Sequence, residues 1–302
     1  MLDEIFYWIF NMSIASAICG IPVLLIRLIQ RFPRRVSVWL WGIPFVRMLI
    51  PVGISGYGLM SLISKFTTKT VTIYEIDGDS AFTMMNYVMG ANGYFPITYK
   101  VNLLENLFSI ASVIWLIVAL SLLLTFFIFY RVTMREIRDA QLFKDNIYFS
   151  DKIQVPSVYG IIRPKIILPC EYKESDFEYI LMHEQAHAKR GDNFFRIAAL
   201  ILVCIHWFNP FAWLFLRIFY SDIELACDEA VLSKCNENQK KEYAHALLSS
   251  IEKSNVFAAS FGGAKIRIRI ENILSYRKIS VFSMIGFTVL LISIAWVLLT
   301  NA

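Results

Sequence analysis

Four apolar runs govern what this chain can become: residues 5–29, 36–63, 103–130 and 279–299. A helix needs about 20 apolar residues to cross the hydrocarbon core of a bilayer, and each run reaches that length. Hydrophobic residues make up 57% of the chain and charged residues 18%, against about 45–50% and about 25% in soluble domains. So much apolar surface exceeds what one soluble core hides, which makes lipid the solvent for part of the chain. The same numbers exclude a disordered chain, a collagen-like repeat and a small disulfide-rich fold.

Charge placement orients the runs. Asp3 and Glu4 precede the first run with no base beside them. That run therefore reads as an anchor with its N-terminus outside, not as a cleavable leader. The short link after it carries Arg27, Arg31, Arg34 and Arg35 with no acid, whereas the loop 64–102 spreads Lys65, Lys69 and Lys100 among Glu75, Asp77 and Asp79. Arg131, Arg135, Arg138 and Lys144 follow the third run, and Lys265, Arg267, Arg269, Arg277 and Lys278 precede the fourth. This alternation predicts four transmembrane helices, both termini outside, an external loop at 64–102 and a cytoplasmic block at 131–278. The net charge of +5 thus sits beside apolar runs, which fits membrane topology rather than direct nucleic-acid binding. Five cysteines without a C-x-x-C pair read as free thiols near a reducing cytoplasm. Within the block, residues 147–169 are β-branched and broken by Pro156, Gly160 and Pro164, the pattern of a small hairpin. The remainder is helical in pattern. The expected fold is a mostly α integral membrane protein with an inserted α+β domain.

One motif in that block carries chemistry. His183-Glu184-Gln185-Ala186-His187 is H-E-x-x-H. It follows residues that can start a helix, with Ser175 or Asp176 as N-cap and Glu178 in the first turn. Positions i and i+4 share a helical face, so both imidazoles can reach one metal ion, and Glu184 can reach a water bound to it. Two imidazoles, a carboxylate and an open position suit a single hydrolytic Zn2+. Glu224 is the expected third ligand. It lies 37 residues past His187 and shares a face with Asp228, which could orient a ligand imidazole as an acceptor. Glu229 points elsewhere on the wheel and is expected in solvent.

The apolar stretch 194–220 between these segments is not read as a fifth span. Crossing there would put Glu224 on the opposite side of the bilayer from the imidazoles. Arg196, His206 and Arg217 are costly at mid-bilayer, and Asn209-Pro210 splits the stretch in two. A helix–break–helix hairpin, buried in the domain or dipping into the inner leaflet, is expected instead, with His206 packed rather than ligating.

With these residues in place, the chain resembles the membrane metallopeptidase part of the BlaR/MecR-type antirepressor signal transducers of Gram-positive bacteria. The matching segments are SVYGIIRPKIILP at 157–169, HEQAH at 183–187, HWFNP at 206–210, ELACDEAVL at 224–232 and RIENIL at 269–274. The resemblance implies a gluzincin-like zinc peptidase in a bacterial cell membrane. Its cytoplasmic cut would fall on a DNA-binding repressor or on the chain itself, and it would work alone or as a homodimer. Carried over residue by residue, His183, His187 and Glu224 are ligands and Glu184 is the catalytic base. In the best-known members a penicillin-binding sensor follows the last span. This chain stops at Ala302, which reads as a member without that sensor. The S-x-x-K strings at 250–253 and 275–278 fall inside the cytoplasmic block and are set aside. Two other readings stay open: a quality-control or prenyl-protein zinc peptidase of the membrane, and a non-catalytic signalling scaffold.

Overall fold

The computed structural model describes residues 1–28, 32–50, 54–55, 69–77, 80–88, 102–170, 174–252, 256–276 and 281–301. The helices are α1 (Leu2–Arg27), α2 (Arg34–Leu40), α3 (Gly42–Leu49), α4 (Asn102–Glu136), α5 (Glu174–Arg190), α6 (Asp192–Ile205), α7 (Pro210–Leu232), α8 (Glu237–Glu252), α9 (Val256–Ser275) and α10 (Val281–Leu299). The strands are β1 (Ile54–Ser55), β2 (Lys69–Asp77), β3 (Ser80–Val88), β4 (Gln141–Lys144), β5 (Ile147–Ser150), β6 (Ser157–Tyr159), β7 (Lys165–Pro169) and β8 (Thr300–Asn301).

Among the described residues, three helices are long and apolar enough to cross a membrane: Leu2–Arg27, Asn106–Asp139 and Phe282–Leu299. They correspond to the first, third and fourth expected spans, and they make this a mostly helical, membrane-associated protein. The second expected span, 36–63, differs. Its described part is two short helices, α2 and α3, interrupted at Trp41, while residues 51–53 and 56–68 lie outside the described residues. The interruption follows from tertiary bonding. Trp41 and Ser37 both donate to Asp222 of α7, at 2.8 and 3.1 Å. Arg47, only 2% exposed, donates to the Leu298 carbonyl of α10 at 3.2 Å. Neither α2 nor α3 reaches the length a crossing requires.

The expected hairpin at 147–169 is present in its second half, as the antiparallel pair β6–β7, but it is part of a larger sheet. These residues belong to a four-stranded mixed sheet in the order β4-β5-β7-β6. β5 pairs with β7 in parallel, and β4 and β6 add antiparallel edges. The tight turn lies earlier, at 145–146, where Asp145 takes φ +51°. Aspartate tolerates that left-handed conformation. The buried Ile166 and Leu168 of β7, with Ile147, pack against Phe177 and Leu181 of α5. The sheet is thereby laid on the helix that bears H-E-x-x-H.

The stretch 194–220 is a helix–break–helix element. Asn209 caps α7 by accepting from the Phe211 amide at 2.9 Å, and Pro210 opens the helix where a missing N–H costs nothing. A core of Trp41, Phe215, Phe219 and Ile223 joins α7 to α1, α2 and α3. A second cluster, Val231, Leu232, Tyr243 and Ile273, packs α7, α8 and α9 behind the motif helix.

Candidate metal centre

His183 and His187 lie one turn apart on α5, and their Nε2 atoms face each other at 3.1 Å. Glu224 arrives from α7 with its carboxylate oxygens 3.6 Å from His183 Nε2 and 3.7 Å from His187 Nε2. Four ligands at 2.0–2.1 Å in a tetrahedron stand about 3.4 Å apart. The three side chains named from the sequence therefore present donor atoms at close to the spacing of one small ion. Glu184 is buried beside them, and the set opens into a cleft of about 270 Å³ lined also by Ser157, Val158, Arg196, Tyr243 and Arg269.

Each imidazole is oriented through its other nitrogen. Asp192 Oδ2 lies 2.6 Å from His187 Nδ1. Gly191 makes this contact by ending α5 with φ +67°, which folds the next residue back against the helix just completed. On His183, Nδ1 lies 2.8 Å from the Tyr243 hydroxyl, which donates to Asp228 Oδ1 at 2.5 Å. Tyr243 spends its one proton on Asp228, so it accepts from His183 Nδ1–H. Both Nδ1 atoms then carry protons, and both Nε2 lone pairs point at the place a metal would take. Asp228 was expected to orient an imidazole. It sits 3.3 Å from His183 Nδ1 and accepts from the Tyr243 hydroxyl that also contacts that nitrogen.

Arg269 closes the arrangement from α9. It donates twice to Asp228, at 2.7 and 2.8 Å, and its Nη1 is 3.4 Å from Glu224. Arg196 of α6 also donates to Glu224. Neither arginine carries a sequence signal of its own, although Arg269 opens the RIENIL segment. Asp192 and Tyr243 are likewise found only through the fold.

The electrostatics follow from this packing. Burial lowers the pKa of His187, but its hydrogen bond to Asp192 and the nearby Cys227 and Glu224 more than offset this and raise it to about 10. His183 is raised as well. Burial opposes the rise, and Cys227, Tyr243 and the Asp228 hydrogen bond outweigh it. Glu224 goes the other way. Desolvation would raise it, but the two imidazoles and Arg269 hold it well below the usual carboxylate range. Desolvation would likewise raise Asp228, and Arg269 overcomes it, bringing Asp228 to about 2. The metal-free site is a network of opposite charges arranged around the donor set.

Cys227 was read from the sequence only as a free thiol. Its sulfur lies with His183 and His187 in a group whose ligand atoms fall within 4.8 Å of one another. It donates to the His183 carbonyl at 3.2 Å and is fully buried. Glu224 lines the cleft and Cys227 does not, so of the two only Glu224 borders the open space beside the imidazoles. Glu229 corrects an expectation: it is buried, not solvated. Its carboxylate accepts from the Arg34 and Arg35 amides at 3.0 and 3.2 Å, capping the start of α2. His206 is buried with Nε2 3.0 Å from the Met48 carbonyl, away from the donor set.

Comparison with known proteins identifies relatives of the chain. The model of the BlaR1 peptidase M56 family matches residues 7–273. The regulatory protein BlaR1 of Bacillus licheniformis is 29% identical over 145 residues, covering 41% of this chain and 24% of that protein. The methicillin resistance mecR1 protein of Staphylococcus aureus is 32% identical over 142 residues, 43% of this chain and 24% of that protein. BlaR1 of Staphylococcus aureus is 29% identical over 170 residues, 50% of this chain and 29% of that protein. The matched part thus spans about a quarter of the length of these relatives.

Proposed function

The chain belongs to the BlaR1 peptidase M56 family, and from that premise we propose that it is a zinc-dependent metalloendopeptidase that cuts a protein at the cytoplasmic face of a bacterial membrane. The observation that carries the reading is the meeting of two Nε2 atoms and the Glu224 carboxylate at 3.1–3.7 Å beside the buried Glu184. Zinc held by His183, His187 and Glu224 would polarise a scissile carbonyl and acidify a water. Glu184 takes the proton of the attacking water and returns it to the leaving amine. Asp192, Tyr243 and Asp228 hold the imidazoles in the tautomer that leaves Nε2 free. Arg269 and Arg196 bring positive charge to the cleft wall, where negative charge develops on the carbonyl oxygen.

Edge strand β6 lines the cleft, and an extended substrate can add to it. Asn193 already donates to the Val158 carbonyl there at 2.6 Å, which shortens the free edge. The relatives' names, regulatory protein and methicillin resistance protein, support a substrate that regulates, such as a DNA-binding repressor or a segment of this chain. The alternation of basic clusters supports four crossings with both termini outside, the second within 36–63, and the site in the inserted block 131–278.

The test is metal content and cleavage on the purified full chain. Glu184→Ala keeps zinc and loses cleavage of a candidate repressor, whereas His183→Ala loses the metal. Full cleavage by the Glu184 variant overturns the mechanism. One observation favours a second reading, a structural His–His–Cys metal in a non-catalytic scaffold: the proximity of Cys227 to both imidazoles. If Cys227→Ala releases the metal and Glu224→Ala does not, that second reading stands.

A further inference from the structure

The reverse face of the motif helix borders a second and larger cavity, of about 960 Å³. Met182, Gln185, Ala186 and Lys189 line it, spaced i, i+3, i+4 and i+7, while His183 and His187 face the cleft on the other side. Its other walls are α2–α3, α6 and the end of α7. These walls are graded. At one end Arg35 of α2 donates to Ser233 at 2.9 Å, beside Lys234, while Lys189 and Arg190 line the cavity from α5. In the middle the rings of Trp39 and Phe195 meet at 5.8 Å. At the far end Phe45 and Phe219 meet at 5.3 Å.

The wall runs from Arg35 through Trp39 to Phe45, across the break between α2 and α3 at Trp41. Among the described residues, the only acid lining the cavity is Asp192, which is committed to His187 and to Arg190. Lys189 and Lys234 are exposed and have no carboxylate partner among the described residues. We propose that this groove is a binding site for an anionic glycerophospholipid, its headgroup on Lys189, Lys234, Arg35 and Arg190 and one acyl chain along the aromatic wall. Four cations and an aromatic floor lining one groove match an amphiphile with a negative head. A soluble anion leaves the floor in water, and a zwitterionic lipid leaves the cluster without a net counter-charge.

The test uses the full chain in nanodiscs of phosphatidylcholine with a minor share of phosphatidylglycerol, and native mass spectrometry of the lipids retained on release. Wild type is expected to retain phosphatidylglycerol over phosphatidylcholine. Lys189→Glu/Lys234→Glu reduces that preference by about tenfold, and Lys189→Gln/Lys234→Gln reduces it less. The control Lys144→Glu/Lys241→Glu, outside the groove, leaves it unchanged. An unaltered melting temperature across the set separates lost binding from lost folding. Equal retention of both lipids by wild type overturns the proposal, as does an equal drop in the control. Burial of the groove residues in a dimer, with no lipid retained, overturns it in favour of a second copy as occupant.

Discussion

The two metal-facing imidazoles lean on different partners, and that difference gives the site its pH response. His187 bonds Asp192 directly, whereas His183 reaches Asp228 through Tyr243. In the metal-free protein His187 holds its proton to about 10 in place of the ordinary 6.5. A group raised on folding contributes stability that is complete below its unfolded value and lost as pH climbs through the folded one. Glu224, depressed from the ordinary 4.5, contributes above that value and loses its contribution as pH falls. The metal-free protein is therefore expected to melt highest between about pH 4.5 and 6.5 and to lose stability toward pH 10. Zinc binding runs the opposite way. Its ligands must be free of protons, so affinity rises with pH over the same range and protons are released. Melting curves with and without chelator, read across pH, check both signs. Asp192→Asn removes the charged acceptor behind His187 and is expected to weaken zinc about 10–100-fold with the fold intact. Competition with a chromogenic chelator measures it. The pairing of His183 with His187 was legible in the sequence because i, i+4 spacing survives any tertiary arrangement, whereas the approach of Glu224, 37 residues further on, depends on how α7 packs. Asp192, Tyr243 and Arg269 were not legible, since no local period links them to the motif.

At the scale of elements, α7 holds the structure together. One face offers Glu224 to the site. The other offers Asp222, which is fully buried and accepts from Arg27 of α1 at 2.9 Å, from Ser37 and from Trp41. Removing that carboxylate leaves the buried Ser37 hydroxyl and Trp41 indole N–H unpaired and takes the counter-charge from the partly exposed Arg27. Asp222→Ala is expected to cost about 3–5 kcal/mol, read as a fall in melting temperature in detergent. Near-wild-type melting would contradict this accounting. The same helix explains one misreading, and strand order explains another. Glu229 reads as a solvent residue on a lone helical wheel, but α2 packs over it and its oxygens meet the Arg34 and Arg35 amides. The parallel pairing of β5 with β7 joins strands separated by β6, and a β-branched run cannot distinguish that from a hairpin. Apolar lengths, by contrast, transferred directly into α1, α4 and α10, because a helix in lipid satisfies its own backbone.

For the molecule as a whole, orientation follows from charge alone, and one native residue can test it. Cys170 is the exposed cysteine among five, the others being buried. It lies in the block assigned to the cytoplasm. In intact cells it should resist a membrane-impermeant maleimide, and it should react once the membrane is permeabilised. Labelling from outside would reverse the topology. Arg269 has a consequence at this same scale. It stands on α9, the last helix before α10, yet its guanidinium sits between Glu224 and Asp228. A shift of α9 along or about its axis would therefore carry that positive charge toward or away from the Glu224 carboxylate, altering the field in the cleft without any change in the motif helix itself.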